Sequence, residues 1–416
     1  MPEARDLETI VRHGLCAGCG LCESLAGADR VEMRLTSIGQ LRPRQKTELD
    51  EATEDAILAT CPGVRVTGPP PEQVGEGGVF DPVWGPIRSI HRGWSTNDAI
   101  RFESAAGGGM TALGCYLLET GKVDAILHVS ASRDDPTLTD AVVSTTPEEV
   151  RGGAQSRYGP SSPLRHVHRL LNAGTRFALL AKPCDVAAVR NLEKIDARVE
   201  EQIPFLITIF CGGLPSAHTP LKIAGYHGVS AEEIRVFRWR GLGWPGPTHV
   251  ESNSGKTYDL SYDEAWSTGK PWTYDMQFRC KICPDAIGEL GDVACPDAWE
   301  IEDGEPIHRE ADGANLFIAR TERGEALVEA AARAGAIHLE PFAVSQLDVM
   351  HPDHHPRKLG NPARLEGLAM EGEPVPHFND FRAEEMVERA GEERHRMARE
   401  GTRQRVRQAR NREPLT

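Results

Sequence analysis

RFALLAKPC (176–184), DVAAVRNLEKI (185–195) and PFLITIFCGG (204–213) decide the fold of this chain. The first and third are short apolar runs, the pattern of strands buried on both faces. Between them Val186, Val189 and Leu192 recur at helical spacing. Strand, helix and strand in that order make a βαβ unit, the building block of α/β layers. Both runs end near a cysteine, Cys184 and Cys211. Loops at the C-terminal ends of such strands are where α/β folds bind ligands.

Outward from this unit the alternation continues. IRSIHRGW (87–94) and VDAILHVS (123–130) read as strands. GGMTALGCYLLETG (108–121) reads as a helix entered through glycines and ended by Gly121, and SSPLRHVHRLLNAG (161–174) as another. The expected class is α/β with α+β elements. A chain of 416 residues exceeds one ordinary core. Residues 1–68 form a small cysteine-bearing module, 69–84 a Pro/Gly-rich linker and 85–345 the main domain. Residues 346–416 form a charged, partly helical extension, whose last stretch, FRAEEMVERAGEERHRMAREGTRQRVRQARNRE (381–413), is read as a solvated surface element or a docking arm.

Eight of the ten cysteines fall into two quartets. Cys16, Cys19 and Cys22 form a C-x-x-C-x-x-C run, and Cys61, followed by Pro62, closes the set from the end of a short amphipathic helix in ELDEATEDAILATCP. A bacterial ferredoxin run would continue with a fourth cysteine, where this chain has Ala26, so the remote Cys61 is recruited. Gly18 and Gly20 let the loop turn tightly around a cluster. Cys280 and Cys283 form a C-x-x-C pair, completed by Cys184 and Cys211. Each quartet suits a [4Fe–4S] cluster, with structural zinc as the rival. Cys115 lies on an apolar helical face and reads as core, whereas Cys295 is an alternative ligand in the second quartet.

The N-terminal residues lack a basic and then apolar run, and no apolar stretch is long enough to span a membrane. A cytoplasmic protein is expected, in which thiols bind metal rather than form disulfides. The net charge of −15 argues against nucleic acid as a partner.

SAAGGGMTALGCYLLETGKVDAI (104–126), AKPCDVAAVRNL (181–192), FCGG (210–213) and FRCKICPDAIGELGDVACPDAW (278–299) together resemble the coenzyme F420 hydrogenase/dehydrogenase β-subunit family. Its members include subunits of archaeal hydrogenases and formate dehydrogenases and certain ferredoxin-dependent tetrapyrrole reductases. The resemblance covers roughly residues 85–345, and the N-terminal module resembles the extra cluster domain of longer members. It implies FAD beside a cluster held by Cys184, Cys211, Cys280 and Cys283. It also matches Ser104, Gly107, Gly108, Gly109 and Thr111 to a flavin-contact loop. There the glycines would offer backbone N–H groups at a helix start. Ser156, Arg157 and Tyr158 match a second segment near the cofactor. RWRGLGWPGP (238–247) resembles a stretch lining the site, where Arg240 is expected to meet an acidic substrate group and Trp244 to stack on an aromatic ring. Asp297 and Trp299 are expected in the same cavity.

The resulting expectation is an oxidoreductase carrying two [4Fe–4S] clusters and FAD. It takes electrons singly from ferredoxin or another one-electron donor and exchanges them in pairs with a small aromatic or heterocyclic substrate. Two alternatives stand beside it: an electron-transfer subunit of a larger hydrogenase or dehydrogenase acting on coenzyme F420 or a similar carrier, and a zinc-bearing scaffold. A partner redox subunit or a homo-oligomer is compatible with each. His91, His166 and His168 are the candidates for a proton donor.

Overall fold

The computed structural model describes residues 3–267, 269–272 and 275–415. Its centre is an eight-stranded mixed sheet. Ala125–Ala131, Phe177–Leu180, Phe205–Thr208 and Val293–Ala294 lie side by side in parallel. Thr139–Ser144 borders one side antiparallel. Asn315–Ala319, Ser89–Ser95 and Ile337–Pro341 continue the other side antiparallel.

Alternation along the central strands explains the layers. Phe177, Leu179 and Leu206 point into one core, shared with Val167, Leu170, Val186 and Val189. Ala178, Leu180 and Ile207 point into the opposite core, shared with Leu113, Leu117, Leu327 and Val328. Helices Val167–Asn172 and Pro183–Glu193 therefore cover one face, and Gly109–Glu119 and Glu322–Arg333 the other. This is the α/β layering expected from the βαβ text.

Two expected strands are shorter in the structure, and the trimmed residues build the site. The first ends at Leu180, and Pro183 opens a helix with Cys184 in its first turn. Proline suits that position because its missing N–H would be unpaired there anyway. The second ends at Thr208, after which Cys211 donates its backbone N–H to Ala286 instead of to a neighbouring strand (2.8 Å). Residues 161–174 begin as a single tight turn, Pro163–His166, and become α-helical at Val167–Asn172.

Near the N-terminus, helices Leu7–Arg12 and Leu21–Ala26 precede an antiparallel hairpin, Val31–Leu35 with Leu41–Gln45. Helix Glu51–Thr60, capped by Asp50, then delivers Cys61 at its C-terminal end.

The C-terminal extension is not a solvated appendage. Strand His377–Asn379 pairs with Arg65–Thr67, and helix Ala383–Arg407 packs on Asn361–Met370. Beyond that helix, Glu413 grips Arg42 of the hairpin through two hydrogen bonds, and Arg42 is fully buried. Many of the extension's cations pair within it, as Arg403 and Arg407 do with Glu371, while only Met386 and Thr402 of the long helix are buried.

Replacing Glu413 by Ala strands the Arg42 guanidinium in the interior. The expected cost is about 3–5 kcal/mol of stability, read as a lower denaturant midpoint. An unchanged midpoint would show that the pair does not hold the N-terminal segment in place.

Candidate functional site

The first quartet converges as the spacing suggests. Cys16, Cys19, Cys22 and Cys61 line one small cavity, closed by Leu7, Ile10, Met33 and Ile57. Gly18 and Gly63 donate backbone N–H groups to the sulfurs of Cys16 and Cys61 (3.4 Å each). Gly20 is required at its position. Its φ is +86°, and a Cβ there would stand 2.9 Å from Ser162. Burial pushes the Cys61 thiol up to about 12, with Cys16 adding to the effect.

Cys184, Cys211, Cys280 and Cys283 line a second small cavity together with Lys182, Gln277, Arg279 and Arg357. Leu214 N–H and the Gln277 side chain donate to the Cys280 sulfur (3.3 and 3.4 Å). Arg357, from the C-terminal extension, donates to the carbonyls of Cys211, Gly212 and Cys280 and ties both cysteine loops together. Cys295 is not in this set. It lies in the wall of a different cavity. Cys115 packs in the apolar core beside Leu117 and Ile126.

Cations stand between the quartets. The Arg42 charge acts on Cys16 and Cys280, and that of Arg279 on Cys61 and Cys283. Arg279 also donates to the Pro62 carbonyl (2.8 Å). Among the described residues, no group of three or more His, Cys, Asp or Glu is arranged to hold a single metal ion. Thiols around a cavity, with N–H groups aimed at sulfur and cations behind them, are a donor set that fits an iron–sulfur cluster.

A third and much larger cavity, about 240 Å³, opens beside the second quartet. Ser104, Gly108, Gly109, Thr111, Ser156, Arg157, Tyr158, Arg240 and Asp297 all line it. Ser104 Oγ and Arg157 Nε are buried in its wall without a hydrogen-bond partner among the described residues. Among the described residues Arg157 makes only a long bond to the Ala154 carbonyl (3.5 Å), and burial lowers its guanidinium to about 10. An underbonded cation beside a helix start is suited to phosphate. The cavity thus fits a flavin nucleotide in its donors.

The structure departs from the expectations at Gly107, Gly109, Trp244, Trp299 and Arg240. Gly107 lies outside the cavity wall, packed against Ala314 and Asn315, and the Gly109 N–H is already given to Asn315 Oδ1 (2.9 Å). Trp244 is buried and stacks on Trp299, with ring centres 5.1 Å apart. Neither tryptophan lines the cavity. Arg240 has no N–H to spare for a substrate acid. Its guanidinium donates to the carbonyls of Pro245 and Ala105, to Tyr158 Oη and twice to Asp297. Five donors are all a guanidinium has. Asp297 Oδ1 also accepts from Trp244 Nε1 (2.9 Å), so Arg240 and Trp244 fix a carboxylate in the cavity wall.

Lys182, Asp185, His128 and Asn315 line the cavity and were missed. Lys182 was legible, since it sits two residues before Cys184 in the AKPC text. His128 was hidden in a strand that reads as core. None of His91, His166 and His168 lines the cavity.

Arg240→Met leaves Asp297 without its main partner and is expected to destabilise the protein by about 3 kcal/mol. A denaturant midpoint unchanged from wild type would contradict the wall role. Burial holds His128 down to about 4, and Ser144 Oγ shares its Nε2 hydrogen bond (2.7 Å). Its folded value lies below its ordinary 6.5, so the unfolded chain takes up the proton first as pH falls. This contribution is intact above pH 7 and is lost between 6.5 and 4, by roughly 3 kcal/mol in all. His128→Asn should flatten that part of the stability–pH curve, measured by urea unfolding at pH 7.5 and 4.5.

Comparison with known proteins agrees with this geometry. Residues 90–168 match the family model for the coenzyme F420 hydrogenase/dehydrogenase beta subunit N-term, and residues 174–344 the model for its C terminus. The first quartet lies outside both segments. The chain is 25% identical over 252 residues to the F420-dependent formate dehydrogenase subunit beta of Methanocaldococcus jannaschii, covering 59% of this chain and 60% of that one. It is 27% identical over 262 residues to the coenzyme F420 hydrogenase subunit beta of Methanococcus voltae, covering 58% and 80%. A chain in the F420-reducing [NiFe] hydrogenase complex of Methanosarcina barkeri shares the fold, with a TM-score of 0.57 at 20% identity, over 73% of this chain and 99% of that one. Both family segments occur in order across the sheet, the second quartet and the large cavity, and the chain belongs to the coenzyme F420 hydrogenase/dehydrogenase beta-subunit family.

Proposed function

We propose that the chain is an iron–sulfur flavoprotein subunit that moves electrons between a one-electron partner and a two-electron carrier of the deazaflavin kind, coenzyme F420 or a relative of it. One observation carries the reading. The loop after strand Phe205–Thr208, through Cys211, Gly213 and Leu214, lines both the second quartet's cavity and the large cavity. A centre held by those thiols would share a wall with the occupant of the large cavity. Two [4Fe–4S] clusters and FAD, when bound, would supply the exchange between single electrons and pairs.

The chain's own residues have separate tasks in this reading. Cys16, Cys19, Cys22 and Cys61 hold the first cluster, in a ferredoxin-like module of residues 1–68. Cys184, Cys211, Cys280 and Cys283 hold the second. Ser104, Arg157 and the start of helix Gly109–Glu119 offer donors to the flavin's phosphates, while Ser156 and Tyr158 wall the site. Asp297, locked by Arg240 and Trp244, presents a fixed carboxylate to whatever occupies the cavity. Ferredoxin or a partner redox subunit supplies or takes the single electrons.

The carrier reading is favoured over reduction of a small aromatic acid. The acid reading needed a free Arg240 and an accessible Trp244, whereas the first is fully bonded and the second is covered by Trp299. The relatives named above are beta subunits of F420-dependent formate dehydrogenase and coenzyme F420 hydrogenase. A zinc scaffold would be colourless and would leave Ser104 and Arg157 without a use.

Anaerobic protein reduced with dithionite and freed of excess reductant should convert oxidised coenzyme F420 to its reduced form, seen as loss of its visible absorption. Arg157→Gln should retain its iron but hold FAD about tenfold more weakly, the loss of one charged hydrogen-bonding partner. Reduced protein that leaves coenzyme F420 untouched but passes electrons to another acceptor would refute the carrier assignment.

A further inference from the structure

The loop that carries Cys211 reaches the surface. Gly212, next to this second-quartet thiol, is exposed, and Arg357 donates to its carbonyl (2.7 Å). Packing gathers positive charge around that spot. Ile282, Leu365 and Val406 share one apolar cluster, and each has a cation beside it in sequence: Lys281, Arg364 and Arg405. Arg364 also donates to the Arg357 carbonyl (3.0 Å). All four cations are half-buried, and among the described residues none of them makes an ion pair with a carboxylate. Burial holds the Lys281 ammonium down, and Arg405, Arg357 and Arg364 add to the effect while the Cys280 sulfur opposes it.

The unpaired charge is local. Arg399, Arg403 and Arg407, four residues apart on the long helix, pair with Glu366 and Glu371. Arg405 lies two positions from Arg403, about 200° round the helix, and is left without a carboxylate. The first quartet has the opposite exterior. Helix Glu51–Thr60, which delivers Cys61, exposes Glu51, Glu54 and Asp55 and contains no cation. A chain of net charge −15 thus shows a basic face where one cysteine loop meets solvent, and an acidic face beside the other quartet. Complementary charge steers two proteins together and sets their orientation.

Resting on the cluster reading above, we propose that Lys281, Arg357, Arg364 and Arg405 form the docking surface for an acidic one-electron carrier protein of the ferredoxin kind, which exchanges electrons directly with the second quartet and bypasses the first. The reduced partner gives up one electron and leaves oxidised. The centre held by Cys184, Cys211, Cys280 and Cys283 gains that electron. Two encounters supply the pair that reduces the two-electron carrier, with protons from water. The four cations position the partner and do not touch the reacting atoms.

The test mixes the anaerobic holoprotein with an acidic plant-type [2Fe–2S] ferredoxin at low salt. Calorimetry with oxidised ferredoxin gives its Kd, and stopped-flow bleaching of the visible absorption by reduced ferredoxin gives the transfer rate. Lys281→Glu combined with Arg405→Glu should weaken binding and slow transfer about tenfold, and should remove most of the salt dependence seen in wild type. Glu54→Lys combined with Asp55→Lys, beside the first quartet, should leave both quantities within about twofold. Cys61→Ser, holding a cluster at the second quartet alone, should take electrons as fast as wild type. Should the double reversal fail to load iron, Arg405→Gln, remote in sequence from every cysteine, should still weaken binding about threefold. Loaded wild type that binds no ferredoxin, or charge reversals at Lys281 and Arg405 without effect, overturns the docking proposal alone. So does a tenfold change in the Glu54 and Asp55 variant, or a Cys61→Ser protein that keeps its second cluster yet takes no electrons. Wild-type protein that binds no clusters overturns the cluster reading, a distinguishable failure.

Discussion

Drawing eight thiols into two closed cavities is the constraint around which this molecule is built. A sulfur ligand is useful as a thiolate, and enclosure opposes that charge. The structure answers with N–H groups aimed at sulfur and with cations behind the thiols. Arg42, Arg279, Lys182 and Arg357 come from four distant parts of the chain, and each contacts or acts on at least one quartet. The sheet supplies the fixed positions. Two adjacent parallel strands stop early, and their released ends bring Cys184 and Cys211 to the same cavity.

The C-terminal extension follows from the same need. Arg42 reaches the interior from the N-terminal hairpin, and its carboxylate partner is Glu413, 371 residues away. Arg357 of the extension bonds the carbonyls of both cysteine loops. The extension thus braces one quartet and neutralises a cation serving the other. Its 25-residue helix, broken in backbone geometry at Gly391, packs along Asn361–Met370.

Much of this is legible in the amino-acid sequence. The C-x-x-C runs, the βαβ unit and the glycine-entered helix are local patterns, and local patterns survive into the fold because spacing fixes direction. Residues 278–299 carried enough family text to identify the domain. What was not legible is partnership over distance. Nothing near Arg240 in the sequence shows that Asp297, Tyr158 and Ala105 consume its donors, so it read as a free anion binder. Trp244 read as a stacking platform because the covering ring, Trp299, lies 55 positions on. Charge density in residues 382–412 looked like solvation, since the carboxylates that neutralise it belong partly to other helices. Asp297, by contrast, does line the cavity.

The central claim is that both quartets hold iron–sulfur clusters beside a flavin, and its most direct test is chemical analysis of oxygen-free protein for iron, acid-labile sulfide and flavin per chain. The account predicts two four-iron clusters' worth of iron with matching sulfide, one FAD, and a brown solution. A colourless protein containing zinc at the thiols, with neither sulfide nor flavin, would contradict it.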